Sequence, residues 1–196
     1  AAPSATAADA VTMVVELVGS EDADFRAIGL DAIRHATRGE QATAAFAALL
    51  ETASPARQVE LIRALSDRGD AAALPALAAV LERSREPAAR TAALAALGAI
   101  GSAAEVPVLL ESLAAGEPER TAARRALTAL QGADAVGRMV AALKAGDAAQ
   151  RAVLIDILGD RRARVVLPDI APFATADDAA VRRAAFRTLG SLGAVA

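Results

Sequence analysis

A motif marked by an arginine recurs six times along this chain, and this repeat constrains the fold more than any other feature of the sequence. The intervals between successive arginines are nearly equal. The residue four positions later is large and apolar in five of the six copies, and the residue seven positions later is apolar in all six. Because the spacing i, i+4, i+7 lies along one side of an α-helix, each copy predicts an amphipathic helix. The six arginines are Arg26, Arg57, Arg90, Arg120, Arg151 and Arg182.

A second apolar stripe precedes each of these helices. In three copies the stripe starts at a pair that ends in proline: Leu74-Pro75, Val106-Pro107 and Leu167-Pro168. Proline is tolerated in the first turn of a helix, where its missing N–H would have no partner. The sequence therefore predicts twelve helices paired as six antiparallel hairpins, near residues 8–38, 39–69, 70–101, 102–132, 133–162 and 163–193. Residues 1–7 are predicted to form a linker or an N-terminal tail.

A single hairpin cannot bury its own apolar stripe, so consecutive hairpins must stack to complete a shared core. We therefore expect an all-α fold, a right-handed α-solenoid whose second helices line its inner face. The composition agrees with this expectation, since aromatic residues make up only 2% of the chain and neither tryptophan nor tyrosine occurs. Sheet proteins usually draw on aromatic and β-branched residues.

The second helices also carry a recognisable family pattern. Residues 89–101 read ARTAALAALGAIG, and residues 181–193 read VRRAAFRTLGSLG. Both segments resemble the second helix of the HEAT repeat, in the short bacterial form known as the PBS-lyase HEAT-like repeat. The resemblance covers nearly the whole chain from about residue 8 and is strongest in the last four hairpins. It implies an armadillo-like helical superhelix but says little about function, because such folds host many functions.

The composition excludes several kinds of catalytic and metal site. Cysteine is absent, which excludes disulfides, zinc–thiolate sites and a cysteine nucleophile. His35 is the only histidine, so a histidine-rich metal site is excluded, and no serine or acid at a recognisable spacing supports it as a general base. No glycine-rich phosphate loop is present. We therefore expect a protein that is not an enzyme and that holds no cofactor or metal.

The charge pattern bears on the class of partner. The net charge of -3 gives no strong attraction to nucleic acid. A basic group at Arg161, Arg162, Arg164, Arg182, Arg183 and Arg187 could contact phosphates, but the chain lacks the tyrosine and tryptophan that stack on bases. No apolar run approaches the roughly 20 residues of a membrane span. We expect neither nucleic acid nor membrane as a partner. The compartment stays open: the sequence slightly favours the cytoplasm and also fits a periplasmic protein with a processed N-terminus.

We interpret the six arginines as a structural ladder. Acids lie four residues before four of them, at Asp22, Glu86, Asp147 and Asp178, where they can cap helix N-termini. The inner face is predicted at the positions one and five residues after the arginines. The predicted partner-binding residues taken from these positions are Asp31, Gln58, Ile62, Thr91, Thr121, Arg125, Asp156, Arg183 and Arg187.

Arg124 is added to this face because it departs from the repeat pattern. It stands where the other copies have leucine, isoleucine or phenylalanine. A lone buried charge would be costly, so we expect Arg124 either to extend to the surface beside Arg125 or to contact a ligand or partner.

These features predict a non-enzymatic scaffold or adaptor that binds another protein through the second-helix face. A regulatory or sensory array within a larger protein is an alternative, and nucleic-acid binding or phycobilin-lyase-like activity are weaker ones. The first helix is apolar over more than one stripe, and no polar capping helix follows the last hairpin. Because a solenoid needs polar end faces to stay soluble, we expect either further repeats or end-to-end self-association.

Overall fold

The computed structural model describes residues 6–193, and this part of the chain contains twelve α-helices and no β-strand. The predicted tail therefore lies outside the described residues except for Thr6, which caps the first helix, and Ala7, which begins it. The helices are α1 (Ala7–Gly19), α2 (Ala23–His35), α3 (Glu40–Ala48), α4 (Pro55–Arg68), α5 (Leu74–Arg83), α6 (Pro87–Ile100), α7 (Val106–Ser112), α8 (Glu119–Ala129), α9 (Ala133–Ala145), α10 (Ala148–Asp160), α11 (Leu167–Ile170) and α12 (Ala179–Gly193).

Consecutive helices pair into six hairpins, numbered one to six from α1–α2 to α11–α12. The even-numbered helices also contact one another in chain order, so they form one layer of the array. A single apolar core runs between this layer and the odd-numbered helices, from Val14 in hairpin one to Ala185 in hairpin six. The predicted all-α solenoid is confirmed.

The first helix of hairpin six differs from its prediction as one continuous helix. The α-helical part, α11, is only four residues long and is followed by a 3-10 helix at Ala171–Thr175. Pro172 explains the break, because proline inside a helix lacks the N–H donor and its ring clashes with the carbonyl four residues earlier. Ile170 is still buried in the core, so the hairpin keeps its packing.

Five of the six predicted ladder arginines close their own hairpins. Each guanidinium donates to backbone carbonyls at the end of the preceding first helix, where helices leave carbonyls without a partner and where positive charge is favoured. Arg26 donates to the carbonyl of Ser20 at 3.1 Å, and Arg90 donates to those of Leu81 and, at 3.3 Å, Ser84. Arg120 donates to Leu113 (3.1 Å) and Ala115 (2.9 Å), and Arg151 donates to Leu143 (3.3 Å) and Lys144 (3.2 Å). Arg182 donates to Ala176 (2.6 Å) and Asp177 (2.7 Å). The ladder is therefore structural in these hairpins.

Hairpin two departs from the predicted ladder by one residue. Arg57 points to the preceding hairpin, where it pairs with Glu21 at 2.8 Å. Gln58 takes the ladder contact instead, and its side-chain N–H donates to the carbonyl of Leu50 at 2.9 Å. Gln58 lies midway in sequence between Arg26 and Arg90, so the repeat is regular once glutamine is allowed at this position. The ladder position is hereafter the set Arg26, Gln58, Arg90, Arg120, Arg151 and Arg182.

This shift corrects two residues of the predicted binding face. Ile62 lies four residues after Gln58, on the apolar stripe, and is only 1% exposed. Gln58 is half-buried and occupied with its carbonyl contact. The surface positions of hairpin two are instead Val59, which is half-buried, and Arg63, which is exposed.

Three of the four acids before the ladder cap helix N-termini. The carboxylates of Asp22, Asp147 and Asp178 accept hydrogen bonds from backbone N–H groups of the following first turn, at 2.8–3.3 Å. These bonds favour the charged form and lower the pKa of Asp178. Glu86 makes no such side-chain bond, although it occupies the N-cap position of α6.

Candidate functional site

The second-helix face comprises the positions one and five residues after the ladder position. Among the predicted residues, Asp31, Thr121, Arg125, Arg183 and Arg187 are exposed on this face, and Thr91, Arg124 and Asp156 are half-buried. The middle of the face is apolar and small, since α6 exposes Ala95 and Ala99 there. Nine of the ten predicted residues therefore lie at least partly at the surface; Ile62 is buried, and Gln58 occupies the ladder position instead of this face.

Three of these residues meet in one ion-pair cluster that joins the last three hairpins. A guanidinium nitrogen of Arg124 lies 3.0 Å from a carboxylate oxygen of Asp160 and 4.0 Å from one of Asp156. Asp156 also accepts a hydrogen bond from Arg187, and this bond raises the pKa of Arg187. Arg124 is thus paired across the hairpin boundary instead of standing as a solvated neighbour of Arg125.

An open groove of about 830 Å³ lies beside this cluster, between α7, α8 and α10. Its floor is apolar and half-buried, with Leu110, Leu113 and Val153. Its polar lining comes from the ends of α7, α8 and α10. We call this feature the α8–α10 groove; the remaining lining residues are Pro107, Glu111, Ala114, Glu117, Arg120, Thr121, Arg124, Asp147, Ala149 and Gln150.

The identity of residue 124 distinguishes this groove from the other junctions between hairpins. Four residues after the ladder position, the other hairpins that are followed by a further hairpin place Leu30, Ile62, Leu94 and Ile155, all buried. Arg124 occupies this position in hairpin four but turns its guanidinium toward Asp156 and Asp160. No large apolar side chain then fills the space between Leu110 and Val153. The stack of second helices is correspondingly less extensive between α8 and α10 than at the junctions on either side.

The charged groups around the groove differ in whether a partner could contact them. Arg120 donates to the carbonyls of Leu113 and Ala115, and Arg124 is ion-paired, so both positive charges are already engaged. Glu111 and Glu117 are exposed on the rim, and Glu117 accepts a hydrogen bond from Thr121 at 2.7 Å. Three carboxylates, Glu111, Glu117 and Asp147, against the guanidiniums of Arg120 and Arg124 give the lining a small net negative charge beside its apolar floor.

A second, shallower groove of about 750 Å³ follows α4 and α6 on the same side of the array. Its lining includes Val59, Ile62, Thr91 and Ala95, together with Pro118 immediately before α8. The hydroxyl of Thr91 is buried there without a hydrogen-bond partner. Alanine supplies five of the thirteen residues that line this groove, which offers slightly less apolar surface than the α8–α10 groove.

Half of the predicted basic group is engaged by the protein itself. Arg161 donates to the carbonyls of Leu127 and Thr128, at 2.8 and 2.7 Å, and so ties the end of α10 to the end of α8. Its burial lowers the pKa of its guanidinium. Arg182 serves the ladder and Arg187 pairs with Asp156. These contacts account for half of the group as structural links within and between hairpins.

His35 lies exposed at the end of α2, with its Nε2 atom 3.7 Å from a carboxylate oxygen of Asp31 one turn earlier. Within residues 6–193, no group of three or more histidine, aspartate or glutamate side chains is placed to hold a metal ion. No helix in the same range is long and apolar enough to span a membrane.

Comparison with known proteins gives one match to a sequence family and several similar structures. Residues 42–128 match the family model described as HEAT repeats. A sequence search of curated proteins found no match. An engineered protein is 19% identical over 94% of this chain and 96% of its own, with a TM-score of 0.50. Human deoxyhypusine hydroxylase in complex with glycerol is 20% identical over 95% of this chain and 86% of its own, with a TM-score of 0.49.

A third similar structure is the complex of CpcE and CpcF of phycocyanin lyase from Nostoc sp., which is 19% identical over 99% of this chain and 96% of its own, with a TM-score of 0.43. At these identities, structural likeness bears on the fold alone, and the engineered protein is the one whose TM-score supports it. The family match adds the repeat type. Residues 42–128 therefore match the repeat type that the sequence resemblance predicted.

Proposed function

We propose that this chain is a non-enzymatic protein-binding scaffold and that its partner enters the α8–α10 groove. The observation that carries the proposal is the open apolar floor at the one internal junction where arginine replaces the buried leucine or isoleucine. Binding sites in proteins are typically concave, largely apolar and about 300–1,000 Å³ in volume, which matches this groove. A groove of this size fits one or two apolar side chains of a peptide segment.

The rim of the groove determines the expected charge of the partner. Glu111 and Glu117 are exposed, whereas the nearby arginines already donate to protein oxygens. A partner segment with an apolar residue flanked by lysine or arginine therefore fits both the floor and the rim. Charge complementarity of this kind contributes mainly to association rate and specificity.

The proposal can be tested by selecting peptides from a random displayed library on the purified chain and measuring their binding by fluorescence polarisation. We expect the selected peptides to combine an apolar residue with basic neighbours. Arg124→Leu should fill the groove and weaken their binding at least tenfold. Its melting temperature should stay equal or rise, because an exposed ion pair contributes only about 0–1 kcal/mol while a leucine there adds buried apolar surface.

Arg125→Leu is the matched control, since Arg125 is the exposed neighbour on the same helix and does not line the groove. This variant should bind the peptides like the unmodified chain. Peptides that bind Arg124→Leu and the unmodified chain equally would place the binding surface elsewhere. A clear loss of stability in Arg124→Leu would instead make the ion-pair cluster a structural requirement.

The enzyme names among the similar structures do not extend to this chain, because those structures are about 20% identical and have TM-scores below 0.5. The alternative of a regulatory or sensory array would use the same groove within a larger protein. It differs from the scaffold in predicting that peptide binding changes the relative position of the flanking hairpins. Distance measurements between labels on hairpins one and six, with and without peptide, separate the two alternatives.

A further inference from the structure

The outer face of α12 repeats a stacking pattern that joins second helices inside the array. Gly98 and Gly159 each lie eight residues after the ladder position and meet the next second helix closely. A β-carbon at Gly98 would lie 2.7 Å from the β-carbon of Ala126, and one at Gly159 would lie 2.7 Å from the hydroxyl of Thr188. Gly190 occupies the same position on α12, yet within residues 6–193 no atom outside its own helix backbone and chain neighbours lies within 4 Å of the place where its β-carbon would be.

Phe186 extends this unoccupied stacking surface. It lies four residues after Arg182, at the position that is buried as Leu30, Leu94 and Ile155 in other hairpins. Phe186 is 63% exposed. Its apolar ring and Gly190 lie one turn apart on the same side of α12, so this face combines a large apolar group with a point of close helix approach.

The exposed face of α2 supplies the other half of such a junction. In each second helix, the residues one before and two after the ladder position face the preceding hairpin. On α12 these residues are Val181 and Ala184, and both are buried. Their counterparts on α2 are Phe25 and Ile28, which are 53% and 55% exposed. Ala32 lies six residues after the ladder position of α2. Ala126 on α8 and Thr188 on α12 have the same place in their helices, where they meet Gly98 and Gly159. The α2 face therefore offers a small residue to meet Gly190 and apolar side chains to meet Phe186.

The charges on the two faces are also complementary. Inside the array, Asp156 and Arg187 stand at equivalent positions on neighbouring second helices, five residues after the ladder position, and they pair. Asp31 has this position on α2 and is exposed. Stacking α2 of one molecule on α12 of another in the internal geometry would bring Asp31 next to Arg187.

We propose that this chain associates head to tail with a second copy of itself, the outer face of α12 packing on the exposed face of α2. The junction reuses the internal pattern of glycine against a small residue, apolar side chains beside it, and an acid–base pair. This contact joins two different surfaces, so each added copy leaves one face of each kind open and the assembly grows with concentration. It is independent of the α8–α10 groove and leaves that groove accessible.

Two variants, each blocking one face, test the proposal. Gly190→Leu places a side chain where the helices must approach closely, and Ile28→Glu places a charge in the apolar α2 face. Sedimentation equilibrium from micromolar to near-millimolar concentration should show the mass of the unmodified chain rising with concentration. Each variant alone should remain at the monomer mass of 19.7 kDa. An equimolar mixture should form a dimer of twice that mass, because each variant keeps the face that the other lacks.

Ala141→Glu is the matched control, since Ala141 is exposed on α9 in hairpin five, away from both faces. It should associate like the unmodified chain, and Phe186→Glu provides a second block of the α12 face. Circular dichroism of each variant verifies that its helices are intact. A constant monomer mass for the unmodified chain would overturn the proposal. A mixture of Gly190→Leu and Ile28→Glu that stays monomeric would also overturn it.

Discussion

Replacing glycine by alanine at two equivalent positions of the repeat should change stability in opposite directions. Gly98 and Gly190 each lie eight residues after a ladder arginine and within a helix. Alanine favours the helix over glycine by about 1 kcal/mol, so both substitutions gain this amount locally. Their surroundings differ, because Gly98 is packed against α8 and Gly190 is exposed.

At Gly98 the steric cost determines whether the substitution stabilises or destabilises the protein. The added methyl group would meet the backbone and the β-carbon of Ala126, the latter at 2.7 Å, and no rotation of a flexible side chain can relieve this contact. Overpacking of this kind costs about 1–3 kcal/mol, and backbone contact places it near the upper end. After the helix-propensity gain, Gly98→Ala should lose about 2 kcal/mol, while Gly190→Ala should gain about 0.5–1 kcal/mol.

Thermal unfolding followed by circular dichroism provides the assay. For a chain of this length each kcal/mol shifts the melting temperature by about 2–4 °C, so Gly98→Ala should melt about 4–8 °C lower and Gly190→Ala slightly higher. The measurement should be made at low concentration, where self-association contributes little. If Gly98→Ala proved as stable as Gly190→Ala, the close approach of α6 and α8 would not be the reason for glycine at this position.

Two further predictions concern the core and the response to acid. Leu94→Ala should lower the free energy of unfolding by about 2–5 kcal/mol because Leu94 is fully buried, whereas Asp31→Ala should change it by less than about 0.5 kcal/mol; denaturant titration of both checks the helical phase. The pKa of Asp70 is lowered, first by the hydrogen bond from Thr43 and then by that from the backbone N–H of Ala72. Its carboxylate therefore contributes stability above its unfolded pKa of about 3.9, and this contribution is lost as the pH falls through the lower folded value. In Asp70→Asn the melting temperature should therefore decrease less as the pH is lowered below about 4. The same decrease in the variant and the unmodified chain would contradict this assignment.

The helices and their stacking could be predicted because the apolar periodicity is strong and each hairpin packs only on its neighbours. The phase error in hairpin two arose from a single substitution. A glutamine side chain can donate to the same carbonyl as an arginine, so Gln58 keeps the ladder contact, while the adjacent Arg57 matched the sequence pattern without serving it. The available signal was the equal spacing of Gln58 from the ladder arginines on either side, Arg26 and Arg90.

The α8–α10 groove could be anticipated only in part. The departure of Arg124 from the repeat pattern marked the right position in the sequence. Its side chain could either pack between the two hairpins or turn toward Asp156 and Asp160 in the next hairpin. The outcome depended on the positions of these two aspartates, which are set by the packing of α8 on α10. Short-range spacing within one helix carries no information about that packing, so the open floor appears only in the folded chain.

The reduced contact between α8 and α10 has a mechanical consequence. Stacked hairpins behave as elastic elements in series, and any bend concentrates where the stiffness is lowest. At this junction the second helices contact each other less than at the junctions on either side, so bending is expected to concentrate between hairpins one to four and hairpins five and six. In the regulatory alternative, a ligand that fills the groove would stiffen this junction and change the angle between hairpins one to four and hairpins five and six, and with it the direction in which α12 points.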